Sequence, residues 1–528
     1  MDNLLIVIPA TKKNAVIPDQ LIKKLNGVTL IKRAINLVLK ITPNKEQILI
    51  ITDSDEISLI AQRNKIPFKK DALLSLNSDN IIQEVINRTS EYHQRNILLY
   101  RGNTPILGKD ILKDAYKEFL KLKDSVLVSV KKETRKVYEI NEDELEKIEN
   151  KDLCEEIGAF YIFDKNSIIK SNSRRVPYII SDEESIEIKN YQSWWVCEKI
   201  LQRKKIVFNV VGNTDIGMGH IYRSLNIAHD ISDHEIVFVC DKKYELAVKK
   251  ITSMDYKVIT SNDVKKLIFD LNPDMVINDT LNTSDDFISK LKDKEIMVVN
   301  FEDLGSGSKY ADIVINELYE KPQKEGSHYY WGHEYITLRD EFYDIKPNLF
   351  ENRVQQILIM FGGTDQNNLT LKTLKSIDNI CQEKNIKINI ICGAGYLFLN
   401  ELNDYLNKSE YKNIFLHYSI ASVSEIMSKS QLAISSNGRA VFELAEMNIP
   451  SIIISHHERE NTHNFATLER GFVNIGVINK NTIIDIQTTL FKLVNDRSFR
   501  KLLYTNLSMY SFIKNKEKVL KLITNKLT

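Results

Sequence analysis

Short apolar runs rich in β-branched residues alternate with longer charged segments of helical period, and this alternation limits the fold more than any other feature of the sequence. The first such runs are LLIVIPA at 4–10, QILIITD at 47–53 and NILLYR at 96–101. Repeated strand-then-helix order predicts parallel sheets flanked by helices. The pattern then restarts at residues 206–211, followed by the loop GNTDIGMGH at 212–220 and the helix-like IYRSLNIAHDI at 221–231. The main boundary is therefore placed at 203–205. Beyond it, IVFVCD, MVIND, IMVVNFED and ADIVINE form one series, ILIMFGG, INIICG, LAISS and SIIIS a second, and the polar segment 347–355 separates them. The expected fold class is α/β with three Rossmann-like units, 1–204, 205–350 and 351–528. Where two such units follow each other, ligands bind in the cleft where loops leave the carboxyl ends of strands.

A chain of 528 residues has room for these units. Its 72 Lys+Arg nearly cancel 71 Asp+Glu, which excludes a strongly basic nucleic-acid binder, so no nucleic-acid partner is expected. The five cysteines, at 154, 197, 240, 381 and 392, are odd in number and far apart. They fit neither a disulfide framework nor a CxxC metal site, and a reducing cytoplasm is the expected location. The apolar run near residue 1 lacks a preceding basic region and a cleavage pattern and reads as a buried first strand. No stretch approaches the roughly 18–20 apolar residues of a membrane-spanning helix, so no integral membrane segment is expected.

The strongest chemical signal is Gly217-Met218-Gly219-His220, between a strand and an amphipathic helix. Glycines let the backbone approach a ligand, and a helix start favours an anion. His220 and Arg223 add a titratable imidazole and a cation. The segments GMGHIYRSLNIA, VINDT, NFEDLGSGSKYADIVINE, WGHEYITLRDEFYD and FGGTDQNNLTL, in this order, resemble the nucleotide-sugar hydrolase of pseudaminic-acid biosynthesis, which has the two-half architecture of GT-B glycosyltransferases. The segment 435–472, SSNGRAVFELAEMNIPSIIISHHERENTHNFATLERGF, looks like the nucleotide-binding half of such a protein.

The resemblance implies that Gly362, Gly363 and Thr364 contact a diphosphate. It implies that Asn437 and Gly438 form a second backbone approach, and that Glu443 accepts hydrogen bonds from ribose hydroxyls or else pairs with Arg439, its i−4 neighbour. His220 would be the general base that takes a proton from the oxygen attacking the anomeric carbon. Asp279, at a strand end, is assigned with it as a catalytic or sugar-binding residue, with Asp303, Asn316 and the Arg339-Asp340-Glu341 cluster as further candidates. His456, His457 and His463 lack the helix-borne spacing of a zinc site and read as surface or nucleotide contacts. No cofactor is expected for this region.

The family can present Tyr after the VINDT-like Asp and Asn in the loop matching HHERENTH. This chain has Thr280-Leu281 and Glu458-Arg459-Glu460, with Asn461 nearby, which widens the acceptor beyond water.

The first 204 residues carry VIPATKKNAVIPDQLIKKLNGVTLIKRAI, TDSDEI, LLYRGNTPIL, IGAFYIF and VPYIISDEESIEI, which resemble the CMP-sialic acid synthetases. The resemblance implies binding of CTP and a nonulosonic acid, with Mg2+ if the unit is active. Family positions for Arg, hydroxyl residues and Lys-Asn hold Thr11, Asn14, Ala15, Gln20 and Leu21, with Lys12 and Lys13 as displaced cations. Tyr100 and Arg101 stand where Gln is usual. The two magnesium-binding Asp positions hold Glu187 and Lys189; Glu187 can bind a hard cation, and Lys189 would repel it. The expectation is an altered or impaired synthetase unit.

The sequence thus predicts a nonulosonic acid biosynthesis enzyme with UDP-2,4-diacetamido-2,4,6-trideoxy-hexose hydrolase-like activity and a degenerate CMP-nonulosonate synthetase unit. Its alternatives are a GT-B glycosyltransferase and a non-catalytic nucleotide-sugar-binding scaffold.

Overall fold

The computed structural model describes residues 3–11, 16–71, 81–141, 144–147, 153–168, 174–214 and 216–527. The chain separates into two compact units, Met1–Arg203 and Lys204–Thr528. In the first, a seven-stranded sheet runs in the order Arg174–Ile179, Ser125–Lys132, Cys154–Asp164, Asn96–Tyr100, Leu4–Pro9, Ile48–Thr52, Phe68–Lys70. Cys154–Asp164 is antiparallel to both its neighbours, and the remaining pairs are parallel. Leu4, Ile6 and Ile8 enter the core on one face while Leu5 and Val7 enter the core on the other. A strand covered on both sides reads as an unbroken apolar run for this reason.

The second unit contains two parallel sheets. The first half has seven strands in the order Val258–Ser261, Glu235–Asp241, Lys205–Val210, Met275–Asp279, Met297–Phe301, Ile313–Asn316, Tyr329–Trp331. The second has six in the order Ile414–Tyr418, Lys387–Cys392, Gln356–Met360, Leu432–Ser436, Ser451–Ser455, Phe472–Val477. In each, the first strand of the series is central and the chain winds outward in both directions. The order therefore reverses between Lys205–Val210 and Met275–Asp279, and again between Gln356–Met360 and Leu432–Ser436. Loops leaving these strand pairs diverge and open a crevice.

The halves exchange chain at their edges, which corrects the boundary at 350. Leu318, Tyr319, Ile336, Leu338 and Phe342 pack in the core of the second half with Leu358 and Val441. Conversely the final helix, Asn515–Thr524, places Val519 and Ile523 in the first-half core with Ile206 and Phe208. Val519 and Ile523 are four residues apart, one helical turn, and so face the same way. Segment 351–528 is therefore not one folding half from end to end. No helix among the described residues is long and apolar enough to cross a membrane.

Candidate active site

The loop after Lys205–Val210 turns sharply into the helix Gly219–Asp230. Gly212 packs so tightly on the helix that a β-carbon would lie 2.7 Å from the Ile221 side chain, and Gly217 has φ +87°. The loop is pinned by Gly217 N–H donating to the Asn213 carbonyl at 3.0 Å and Ile216 N–H to Asn213 Oδ1 at 2.8 Å. This conformation delivers His220, in the first turn of the helix, to a cavity of about 450 Å3. A volume in the roughly 300–1,000 Å3 range suits a small-molecule ligand.

His220 Nδ1 lies 2.6 Å from Asp279 Oδ1. With Nδ1–H donating to the carboxylate, Nε2 keeps its lone pair for the cavity. Asp279 is fully buried, ends its strand, and also accepts from Arg223 Nε at 2.8 Å, Arg223 Nη2 at 2.5 Å and Ser224 Oγ at 3.2 Å. Burial works against its charged form, but the Arg223 guanidinium and His220 outweigh that and hold the carboxyl well below the usual aspartate range. Arg223 Nη1 reaches Glu317 at 2.6 Å and Glu302 at 3.2 Å, and its guanidinium lies 4.9 Å from the Phe301 ring centre. Arg439, from the second half, forms a further ion pair with Glu317 and donates to the Thr337 carbonyl. Two guanidiniums against three carboxylates leave one negative charge in excess beside the imidazole.

The opposite wall comes from the second half. Gly362, with φ +74°, Gly363 and Thr364 line the cavity. A β-carbon on Gly363 would lie 3.3 Å from Met218 Cβ, and Gln366 Nε2 donates to the Thr214 carbonyl at 3.1 Å. The glycine loops of the two halves therefore touch, bringing Gly217, Gly219, His220, Gly362, Gly363, Thr364, Gly438 and Glu443 to one cleft.

Several sequence assignments change. Asp279 does not line the cavity; its oxygens are taken up by His220, Arg223 and Ser224, and it meets the cleft through the histidine. Asn437 is likewise buried behind the lining, its amide donating to the Glu460 and His463 carbonyls at 3.0 and 3.1 Å. It braces the loop 456–463. Glu443 pairs not with Arg439 but bidentately with Arg339, at 2.9 and 3.0 Å. Asp303 accepts from Thr283, Asn300 and Gly305 and braces its loop away from the cleft. Asp340 pairs with Lys516, and Glu341 accepts from Ser422 and from Val423 and Ser424 N–H. Asn316 is fully buried outside the lining, and neither of its amide atoms has a hydrogen-bond partner among the described residues.

His456, His457 and His463 do line the cleft. Burial lowers the pKa of His456 and His463, and among the described residues no group of three or more His, Cys, Asp or Glu is disposed to hold a metal. Glu302, Glu317 and Tyr319 belong to the site or its support and were not singled out from sequence, while Arg439 was named only as a partner for Glu443 and Glu460 only as a departure from the family pattern. Glu302 and Glu317 follow apolar strands, the same signal that points to Asp279 and Asp303.

In the first unit, Lys12, Lys13, Asn14 and Ala15 lie outside the described residues. Arg101 Nη2 is 3.2 Å from Glu187 Oε1, Lys189 Nζ is 3.2 Å from Glu187 Oε2, and Asn103 donates to Glu187 at 3.0 Å. Glu187 is thus neutralised by two cations, and no second carboxylate joins it among the described residues. A magnesium ion held by Glu187 would have to displace these cations and draw its remaining ligands from the substrate and water.

The chain is similar to proteins of several organisms. An uncharacterized protein of Methanocaldococcus jannaschii is 31 % identical over 274 residues, covering 48 % of this chain and 56 % of the relative. Spore coat polysaccharide biosynthesis protein SpsG of Bacillus subtilis is 21 % identical over 268 residues, 47 % of this chain and 76 % of the relative. Pseudaminic acid cytidylyltransferase and UDP-2,4-diacetamido-2,4,6-trideoxy-beta-L-altropyranose hydrolase of Helicobacter pylori is 29 % identical over 192 residues, 34 % of each chain. The chain thus spans about half the length of the first relative and a third of the last. The half that carries the Gly362–Thr364 wall, residues 357–521, matches the glycosyltransferase family 28 C-terminal domain.

Proposed function

We propose that the Lys204–Thr528 unit cleaves a nucleotide sugar of the UDP-2,4-diacetamido-2,4,6-trideoxy-hexose class, with water as the attacking group. The observation that carries this reading is the His220–Asp279 pair facing a glycine-walled cleft built by two Rossmann-like halves. The name of the H. pylori relative supports the substrate class. His220 Nε2 takes the proton of the attacking water as its oxygen bonds to the anomeric carbon. The excess negative charge of the Arg223 cluster offsets the positive charge the ring gains. The bond from the anomeric carbon to the diphosphate oxygen breaks, and UDP leaves as an anion that needs charge stabilisation more than protonation. Glu443, exchanging part of its pairing with Arg339, would accept from ribose hydroxyls.

The test is UDP release from that sugar nucleotide without added acceptor. The wild type turns over, and His220→Ala loses roughly 10²–10⁴-fold, the usual worth of a general base, while still binding UDP. Binding without turnover sinks the hydrolase reading. A second reading, transfer to a sugar, lipid or protein hydroxyl, is favoured by the match to a glycosyltransferase domain and predicts UDP release only with acceptor present. For the Met1–Arg203 unit, the Arg101–Glu187–Lys189 cluster supports a nucleotidyltransferase-like unit that does not turn over CTP.

A further inference from the structure

The arginines of the cleft are largely committed to carboxylates. Arg223 faces Asp279, Glu302 and Glu317, Arg439 faces Glu317, and Arg339 faces Glu443 and Glu341. Arg459 is the one arginine of the lining without a carboxylate partner among the described residues; it donates to the Glu302 carbonyl at 3.3 Å. A diphosphate held here must rely on neutral donors beyond that one cation.

Glu460 stands where such a donor is needed. Its Oε2 accepts from His456 N–H at 2.6 Å, and its Oε1 lies 3.7 Å from where a β-carbon on Gly438 would be, so the carboxyl rests on the Gly438 backbone at the cavity wall. The groups around it are His456, His457, Arg459 and His463 on its own loop, Arg439 next to Gly438, Asp365 near His456 and Glu302 near His463. An ionised carboxylate at this spot would repel phosphate oxygens, whereas a carboxylic acid donates to them.

We propose that Glu460 contacts the diphosphate of the nucleotide sugar, donating its carboxyl proton in a hydrogen bond to a phosphate oxygen. This rests on the nucleotide-sugar reading above and names a ligand contact within it. Burial favours the required form, pushing the Glu460 carboxyl up to about 7 against the opposing pull of the His456 N–H. The contact is therefore made at neutral and mildly acidic pH and lost as the pH rises through that value.

The experiment is calorimetric binding of UDP-N-acetylglucosamine, whose diphosphate diester does not titrate in this range, to the full chain at pH 6 and pH 8.5, with uridine as a phosphate-free comparison. Wild-type affinity for the sugar nucleotide is expected to fall about tenfold between the two, the ~1.4 kcal/mol of one modest hydrogen bond. Glu460→Gln keeps a donor and cannot titrate, so it holds the pH 6 affinity at pH 8.5. Glu460→Ala is weaker already at pH 6, and uridine binding is unaffected in both variants. Equal pH slopes for wild type and Glu460→Gln would overturn the proposal, as would equal losses of uridine and sugar-nucleotide binding, which mark a purely structural role. Failure of the wild type to bind either ligand at either pH would overturn the underlying nucleotide-sugar reading along with it.

Discussion

Gly363 of the second half and Met218 of the first meet across the cleft so closely that a β-carbon on the glycine would lie 3.3 Å from Met218 Cβ. This contact sets the gap between the two glycine loops, and Gly393 supports it from behind. A β-carbon on Gly393 would fall 2.5 Å from the Gly363 carbonyl oxygen and 2.7 Å from its Cα, where only backbone can yield. Gly393→Ala is expected to displace the Gly362–Gly363 loop, lower stability by about 1–3 kcal/mol as overpacking does, and weaken UDP binding. Urea unfolding and calorimetry check the two effects separately.

Asp279→Asn removes a buried carboxylate from the Arg223 guanidinium and the His220 imidazole. Breaking such a pair from one side costs about 3–5 kcal/mol, so the urea midpoint falls, and turnover drops with little change in KM because Asp279 acts through His220.

The pH dependence of folding gives a second view of Asp279. Its carboxyl is held below the ordinary aspartate range, so it binds its proton less tightly folded than unfolded. The stability it contributes is fully present above about pH 4 and is lost as the pH falls below that. Urea unfolding from pH 7 to pH 3 should show this loss in the wild type and a shallower one in Asp279→Asn.

Glu443→Ala should weaken UDP by roughly 10- to 150-fold, the ~1.5–3 kcal/mol expected of a hydrogen bond to a charged group. Affinity for 2′,3′-dideoxy-UDP, which lacks the hydroxyls, should not change. Loss of both affinities alike would show instead that releasing Arg339 distorts the cleft.

For the first unit, the wild type is expected to release no pyrophosphate from CTP with magnesium and a nonulosonic acid. Lys189→Asp removes the ammonium beside Glu187 and should introduce calorimetric Mg2+ binding that Glu187→Ala added to it abolishes. Pyrophosphate release by the wild type would refute the impaired reading.

The central strands were legible because burial on both faces writes them as unbroken apolar runs, as in MVIND and ILIMF. The edge strands Val258–Ser261 and Ile414–Tyr418 were not, since they are only partly buried and are short runs, VITS and IFLHY, that mix apolar with polar residues. In the site, glycine and histidine spacing marked His220 and the Gly362–Thr364 wall, because those roles depend on local backbone. Partnerships did not show: Arg339 and Glu443 are 104 residues apart, and nothing local in either favours that pair over Arg439 and Glu443. The His220–Asp279 bond spans 59 positions, so strand-end position suggested a carboxylate near the cleft without revealing that it faces the histidine.

The return of Asn515–Thr524 to the first-half core has a consequence for the order of synthesis. Ile206 and Phe208 emerge from the ribosome some three hundred residues before Val519 and Ile523, which complete their packing. Domains ordinarily fold as they are made, N-terminal first. Here the half bearing His220 is closed last, after the half bearing Gly362 has been translated, so the cleft walls mature together and cutting the chain between the halves leaves the earlier one without its final helix.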